Sequence, residues 1–484
     1  MTPALGKWRR TTIDMLPEDT LVEIFDFYRL DAIFELKSPL NPWRKHWKWH
    51  RLAHVCRKWR RVISMSPRRL DLRIFCKKSG APILSTLVSW PTLPLVVRYI
   101  ASKKSKHMPR HVLVALRRPD RLCEIDLDVT SSMTKPMVET IQKPCKILEC
   151  ILINVQNTTG SPLLVHGAFL GGSAPHLREI MLYGIAFPFP AIRQTLLSTS
   201  NLVELYLPNI PNDVYFSPDD LITGLSTLVL LKRLTVGFLS PASSPPPSMT
   251  HQPPRRATLP SLEELHFHGT SEYLEEFMAR IDSPALCNIE VKLFNQIFFE
   301  IPQFGQFICR PNALGSPDRV SIYHGPGHVD VDITYNSRQL RHDNPPIRCR
   351  FHTKCRPFDW QLSFVTQISS ELSPLLSSAG KLSINSFPEM PTGEEDVEST
   401  QWLELFQLFA HVKHLDVLGE LVRSVSQALV SEDMAAGVFP ELDSLRLINH
   451  YSKSESVAKS VARLARQFVA TRELSGRTVK LDCH

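Results

Sequence analysis

Beyond residue 80, apolar residues recur at n, n+3 and n+5, often with proline or serine just ahead of the triplet. The pattern runs through Leu122/Ile125/Leu127, Leu148/Ile151/Ile153, Leu177/Ile180/Leu182, Leu202/Leu205/Leu207, Leu231/Leu234/Val236, Leu262/Leu265/Phe267 and Leu286/Ile289/Val291. Two later copies are Val412/Leu415/Val417 and Leu442/Leu445/Leu447. The first seven starts are separated by 26, 29, 25, 29, 31 and 24 residues, and the last two by 30. Alternation of this kind predicts strands with one buried face, and its recurrence at similar spacing predicts stacked repeats. Each strand adds to its neighbour in a parallel sheet while the intervening segment returns along the outside. In Leu202–Leu207, Leu205 is expected in the core, with Glu204 and Tyr206 on the opposite face.

The returning segments read as helices. Ser217-Pro218-Asp219-Asp220 supplies a capping serine, a proline at the first helical position and two acids at the positive end of the dipole. Leu274, Phe277, Met278 and Ile281 share a helical spacing, as do Trp402, Leu405, Phe406 and Phe409; Val457, Val461, Leu464 and Phe468 predict a C-terminal capping helix. The triplet resembles the strand portion of a leucine-rich repeat, L-x-x-L-x-L, at or just above the usual upper period. The Asn or Cys of that motif is replaced by Thr130, Gln156 and Ile185. The resemblance implies an irregular α/β solenoid over 79–484, and a generic α/β domain with leucine-rich strands is the alternative. Two zones interrupt the array. Residues 240–260 are rich in proline and serine and predict a loop without regular structure. Residues 297–380 lack the triplet, although Val329, Val331, Ile333 and Tyr335 alternate as in a strand with one exposed face, and predict an irregular insertion.

The first 78 residues read differently. Leu16-Pro17-Glu18-Asp19 marks a helix start, and Leu21, Ile24, Phe25 and Tyr28 fall on one face of the helix that follows. A second helical stripe comprises Leu52, Val55, Cys56, Trp59, Val62 and Ile63, with Arg57, Lys58, Arg60 and Arg61 opposite, and Ser66-Pro67 ends it. So short a helical bundle leaves large apolar side chains for a partner or for the adjoining domain. Residues 1–78 hold 18 Lys/Arg and 8 Asp/Glu, a net of +10, whereas the whole chain is +8, so 79–484 carry −2. Five of the eight tryptophans (Trp8, Trp43, Trp47, Trp49 and Trp59) lie there too. That balance predicts an acidic partner, protein or nucleic acid.

The strings LPEDTLVEIF (Leu16 to Phe25), LAHVCRKWRRVI (Leu52 to Ile63) and SPRRLDL (Ser66 to Leu72) resemble an F-box, and the arrangement is similar to the F-box-like families of mushroom-forming fungi. The resemblance implies docking onto the Skp-type adaptor of a cullin–RING ubiquitin ligase. Leu16, Pro17, Leu21, Ile24 and Phe25 would contribute to the contact, with Val55, Cys56 and Trp59 matching the second half of the motif. The segment from Arg29 to Arg51 is longer than the usual link between the halves.

Composition adds exclusions. With 484 residues, 43% hydrophobic and 21% charged, the chain suits a folded protein of more than one ordinary domain or a repeat array. The N-terminus lacks the apolar stretch of a signal peptide. The longest apolar stretch, near Leu84 to Ala101, is broken by Pro91, Pro94 and Arg98 and falls short of a membrane span. A cytoplasmic or nuclear protein without membrane contact is expected. The ten cysteines form no disulfide framework, and Cys349, His352 and Cys355 lack a fourth zinc ligand nearby. Gly171-Gly172-Ser173 has no following lysine and reads as a turn, as does His324–His328; the acids at 394–398 read as a solvated loop. No nucleophile elbow, zinc helix or phosphate loop is present. The expectation is a non-enzymatic adaptor without cofactor or metal. A basic nucleic-acid-binding protein and a scaffold without ligase association are the alternatives.

Overall fold

The computed structural model describes residues 13–34, 49–67, 69–76, 81–102, 105–156, 161–241, 256–294, 300–310, 317–335, 348–387, 399–430, 438–448 and 455–483. Each apolar triplet lies at a strand. Sixteen described strands join in one sheet: β1 (Ile74–Cys76), β2 (Leu95–Ile100), β3 (Leu122–Thr130), β4 (Cys150–Gln156), β5 (Glu179–Tyr183), β6 (Glu204–Ile210), β7 (Arg233–Phe238) and β8 (Glu264–Gly269) form its first half. The rest are β9 (Asn288–Leu293), β10 (Pro317–Gly325), β11 (His328–Tyr335), β12 (Arg348–Thr353), β13 (Lys381–Ser386), β14 (His414–Leu418), β15 (Ser444–Ile448) and β16 (Lys480–Cys483). The molecule is therefore mixed α/β, with a large and mostly parallel sheet.

The register explains why the triplets recur. The n+3 residues stand side by side: Ile125, Ile151, Ile180, Leu205, Leu234, Leu265 and Ile289 form one row across β3–β9. The row continues through Cys349, Ile333, Val320, Leu382, Leu415 and Leu445. All of these are buried, and the helices bury their apolar sides in the same core. Most leading leucines sit just upstream of their strand, in a turn. There Leu148, Leu177, Leu231, Leu262, Leu286 and Leu442 each donate their backbone N–H to the carbonyl three residues back. That turn aims the side chain inward before the strand begins. Burial on the helix side only yields the two-residue alternation.

The helix Pro218–Leu225 begins as expected. Ser217 Oγ accepts from the Asp220 N–H, and Asp220 accepts in return from the Ser217 N–H, both at 3.2 Å. Replacing Ser217 with alanine is expected to cost about 1 kcal/mol, read as a lowered denaturant midpoint. Trp402, Leu405, Phe406 and Phe409 are all buried at the helix Ser399–Gln407. A helix forms at Glu455–Leu474, but it is no terminal cap: it connects β15 to β16, which pairs with β15 and extends the sheet. The expected helix through Leu274 stops at Met278, and Ile281 belongs to a two-residue strand, Ile281–Asp282.

Several expectations are corrected. The zone 297–380, expected as an irregular insertion, contributes regular strands, because β10, β11 and β12 form a meander inside the sheet. They enter in reversed order, so the sequence across the sheet is β9, β12, β11, β10, β13. Only β11 runs antiparallel to its neighbours, which leaves β9–β12 and β10–β13 parallel. Val329, Val331, Ile333 and Tyr335 are buried in the common core. The apolar stretch near Leu84 to Ala101 divides into a helix, Ala81–Ser89, and β2. Of the loop expected over 240–260, residues 242–255 lie outside the described residues, and Ala257–Thr258 pair in parallel with Ile281–Asp282. The acids at 394–398 also lie outside the described residues. No described helix is long and apolar enough to cross a membrane.

Candidate functional site

Three helices make up the N-terminal region: α1 (Glu18–Phe34), α2 (Trp49–Ala53) and α3 (Arg57–Met65). The second stripe is thus two helices, not one. His54 and Val55 form a turn, and Cys56 takes an extended conformation (φ −153°, ψ 172°) whose Sγ accepts the Trp59 N–H at 3.4 Å. A cap leaves the apolar phase unbroken on either side, so a continuous stripe conceals it.

The face expected on α1 separates in two. Leu21 and Phe25 point inward with Val22, and Phe25 packs on Trp59 with ring centroids 4.8 Å apart. Leu16 packs partly against the same core, and its carbonyl accepts from Lys58 Nζ at 2.7 Å. Pro17 is exposed and Cys56 half-buried. On the outer side Ile24, Phe27 and Tyr28 are 40%, 68% and 44% exposed, and Val55 on its turn is 58% exposed. Of the residues the sequence nominates, then, Leu21 and Phe25 build the module, while Pro17, Ile24 and Val55 face outward. Phe27 was missed; its signal is a second i, i+3, i+4 set, Ile24-Phe27-Tyr28, beside the first. Residues 35–48, in the long link, lie outside the described residues.

Much of the cationic side of α3 is engaged internally. Besides Lys58, Arg60 Nε donates to the Ala53 carbonyl at 3.0 Å, and Arg61 lies 3.9 Å from Glu18. These contacts tie α3 to α1 and α2.

The sheet face turned away from the helices is lined by polar and aromatic side chains. Leu205 is fully buried, while Glu204 and Tyr206 lie on this open face. Midway along, His266 Nδ1 sits 3.0 Å from Glu290 Oε2, with Glu264 at 3.9 Å from its other nitrogen. The two flanking carboxylates, Glu264 and Glu290, favour the charged ring and raise this histidine to about 9. An unfolded histidine titrates near 6.5, so this contribution to stability is complete below about pH 6.5. It fades as the pH rises through 9. Denaturant midpoints measured across that window are expected to fall, and the fall to shrink in His266→Gln.

Candidate chemistry elsewhere dissolves into structure. Cys349 points into the core while His352 lies on the open face, its Nδ1 2.8 Å from Asp330 Oδ1. Among the described residues no group of three or more His, Cys, Asp or Glu is arranged to hold a metal. Gly171 is a turn residue at φ +57°, where an added Cβ would lie 2.5 Å from Pro144 Cδ. Pro326-Gly327 is the hairpin between β10 and β11, and His324 beside it is fully buried against Gln361. Burial lowers that imidazole to about 4 and keeps it neutral. No protein-family model matches the chain, and no curated protein matches it in sequence.

Proposed function

We propose that the protein is a non-enzymatic adaptor: α1–α3 form an F-box-like module that docks on the Skp-type adaptor of a cullin–RING ubiquitin ligase. The strands and helices behind it form an irregular leucine-rich-repeat-like solenoid whose open face holds the protein to be modified. One observation carries this reading. The helix α1, with its own buried side, still exposes Ile24 and Phe27, two large apolar residues on one outer face. Soluble proteins seldom leave such a face without a partner, and it lies within the segment that resembles an F-box. The local excess of positive charge suits an acidic adaptor. The role belongs to the cytoplasm or the nucleus.

Nucleic-acid binding by the same region is the weaker reading, because Lys58 and Arg60 are bound to backbone carbonyls and the exposed face of α1 is apolar. The test is co-purification of the full chain from cell extract. Recovery of a Skp-type adaptor and cullin that survives physiological salt is expected. Retention of RNA or DNA under those conditions, with no adaptor, would overturn the reading, since a phosphate-driven complex weakens steeply with salt.

A further inference from the structure

On the open face, Leu152, Met181 and Tyr206 stand in one row across β4, β5 and β6. Tyr183, further along β5, packs against Tyr206 with ring centroids 4.6 Å apart and planes tilted by 33°. All four are partly exposed. Carboxylates border this apolar bar on two sides. Glu124, Glu179 and Glu204 occupy the row toward the strand starts, and Asp126 and Asp128 continue along β3. From β2 to β7 this face therefore sets five acids against two arginines, Arg98 and Arg233.

Both arginines are committed. Arg98 pairs with Glu124 and lies 3.9 Å from Asp126, and Arg233 pairs with Glu204. Asp128 accepts from the Gln156 amide at 2.8 Å. Glu179 has no cation within ion-pair reach among the described residues; its side chain accepts one hydrogen bond there, from the Cys150 thiol at 3.5 Å, and it is 3% exposed. Burial, with Glu204 adding to it, holds the Glu179 carboxyl up at about 7. Arg233, bound to Glu204, offsets the burial of that carboxylate only in part.

We propose that the open face of β3–β6 is a docking surface for a lysine- or arginine-rich segment of a partner protein, one carrying apolar side chains between its cations. The charge excess selects the sign of the partner. The tyrosines and Leu152–Met181 take aliphatic stems and apolar side chains, and a cation over a tyrosine ring gains further attraction. An ammonium or guanidinium seated on the row of Glu124, Glu179 and Glu204 supplies the charge that this face lacks. Acidic segments and nucleic acids are repelled. The inference rests on the adaptor reading only in calling the bound segment a substrate.

The full chain is titrated, by fluorescence anisotropy, with a labelled peptide of alternating lysine and leucine and with its glutamate–leucine counterpart. Saturable binding of the lysine peptide alone is expected. Tyr206→Ala and Glu179→Gln should each weaken it about tenfold, with thermal unfolding measured alongside to verify folding. Arg446→Ala, at the far end of the sheet, should leave affinity unchanged. No binding, equal affinity in all variants, or preference for the glutamate peptide would overturn the proposal. So would concentration-dependent self-association without peptide binding, which would assign the face to a second copy. A chain that retrieves the ligase adaptor but ignores the peptide removes this inference alone. One that binds the peptide but retrieves no adaptor removes the ligase role alone.

Discussion

The double change Ile24→Ala with Phe27→Ala is expected to lower recovery of the Skp-type adaptor by about two to four orders of magnitude while leaving the protein folded. Burying a large apolar side chain in an interface is worth about 1.5–3 kcal/mol. Two such losses sum to about 3–6 kcal/mol, and each 1.4 kcal/mol is tenfold in affinity. Both side chains face outward, at 40% and 68% exposure, so their truncation removes no core contact. Phe25 is a different case. It is 1% exposed and packs on Trp59, so Phe25→Ala would cost about 3–5 kcal/mol of stability and abolish docking merely by unfolding the module. Adaptor recovery unchanged by the outward pair, alongside an unchanged melting curve, would remove α1 from the interface.

Leu205→Ala is expected to destabilise the array by about 2–5 kcal/mol, the cost of an unfilled cavity in a packed core. Leu205 is 0% exposed and stands between Ile180 and Leu234 in the long apolar row. Backbone hydrogen bonds hold both neighbouring strands, so neither can shift far to fill the space. The control is Lys232→Ala, whose exposed pair with Glu263 at 2.8 Å is worth about 0–1 kcal/mol. Urea titration of the two variants should separate them clearly. Equal midpoints would show that Leu205 is not a core residue.

The triplets were legible because a strand covered on one side leaves alternation in the sequence. The strands that were missed break that condition. In β2, Leu95, Val96 and Val97 are all buried, so no polar residue marks the period. In β13, Ser383 is buried between Leu382 and Ile384, and a buried serine reads like an exposed one. β16 pairs on one side only, and its Leu481 and Cys483 are half-exposed. The strand around Val331 was visible but its neighbours were not, since alternation reports a face and carries no information about the order of pairing. At the candidate site, the sequence located α1 and α3 but joined α3 to α2. It also assigned one face where α1 has two, because Leu21, Ile24, Phe25 and Tyr28 all fit a single helical template while pointing to different sides. The acidic and aromatic patch on the open face went unseen. Its members, from Glu124 to Tyr206, are brought together only by the register of separate strands.

The reversed meander bears on how the chain is made. Through β3–β9 each new strand finds its neighbour a few dozen residues back, so the sheet can grow as the polypeptide leaves the ribosome. At β9 that growth stops, because Asn288 pairs with Arg348, 60 positions later. At about 5–20 residues per second, the outer edge of β9 waits several seconds with its backbone donors and acceptors unmet. An open strand edge is a template for any other extended chain. Translation of this stretch is therefore the interval in which the nascent protein most needs shielding, and slower synthesis there should increase aggregation.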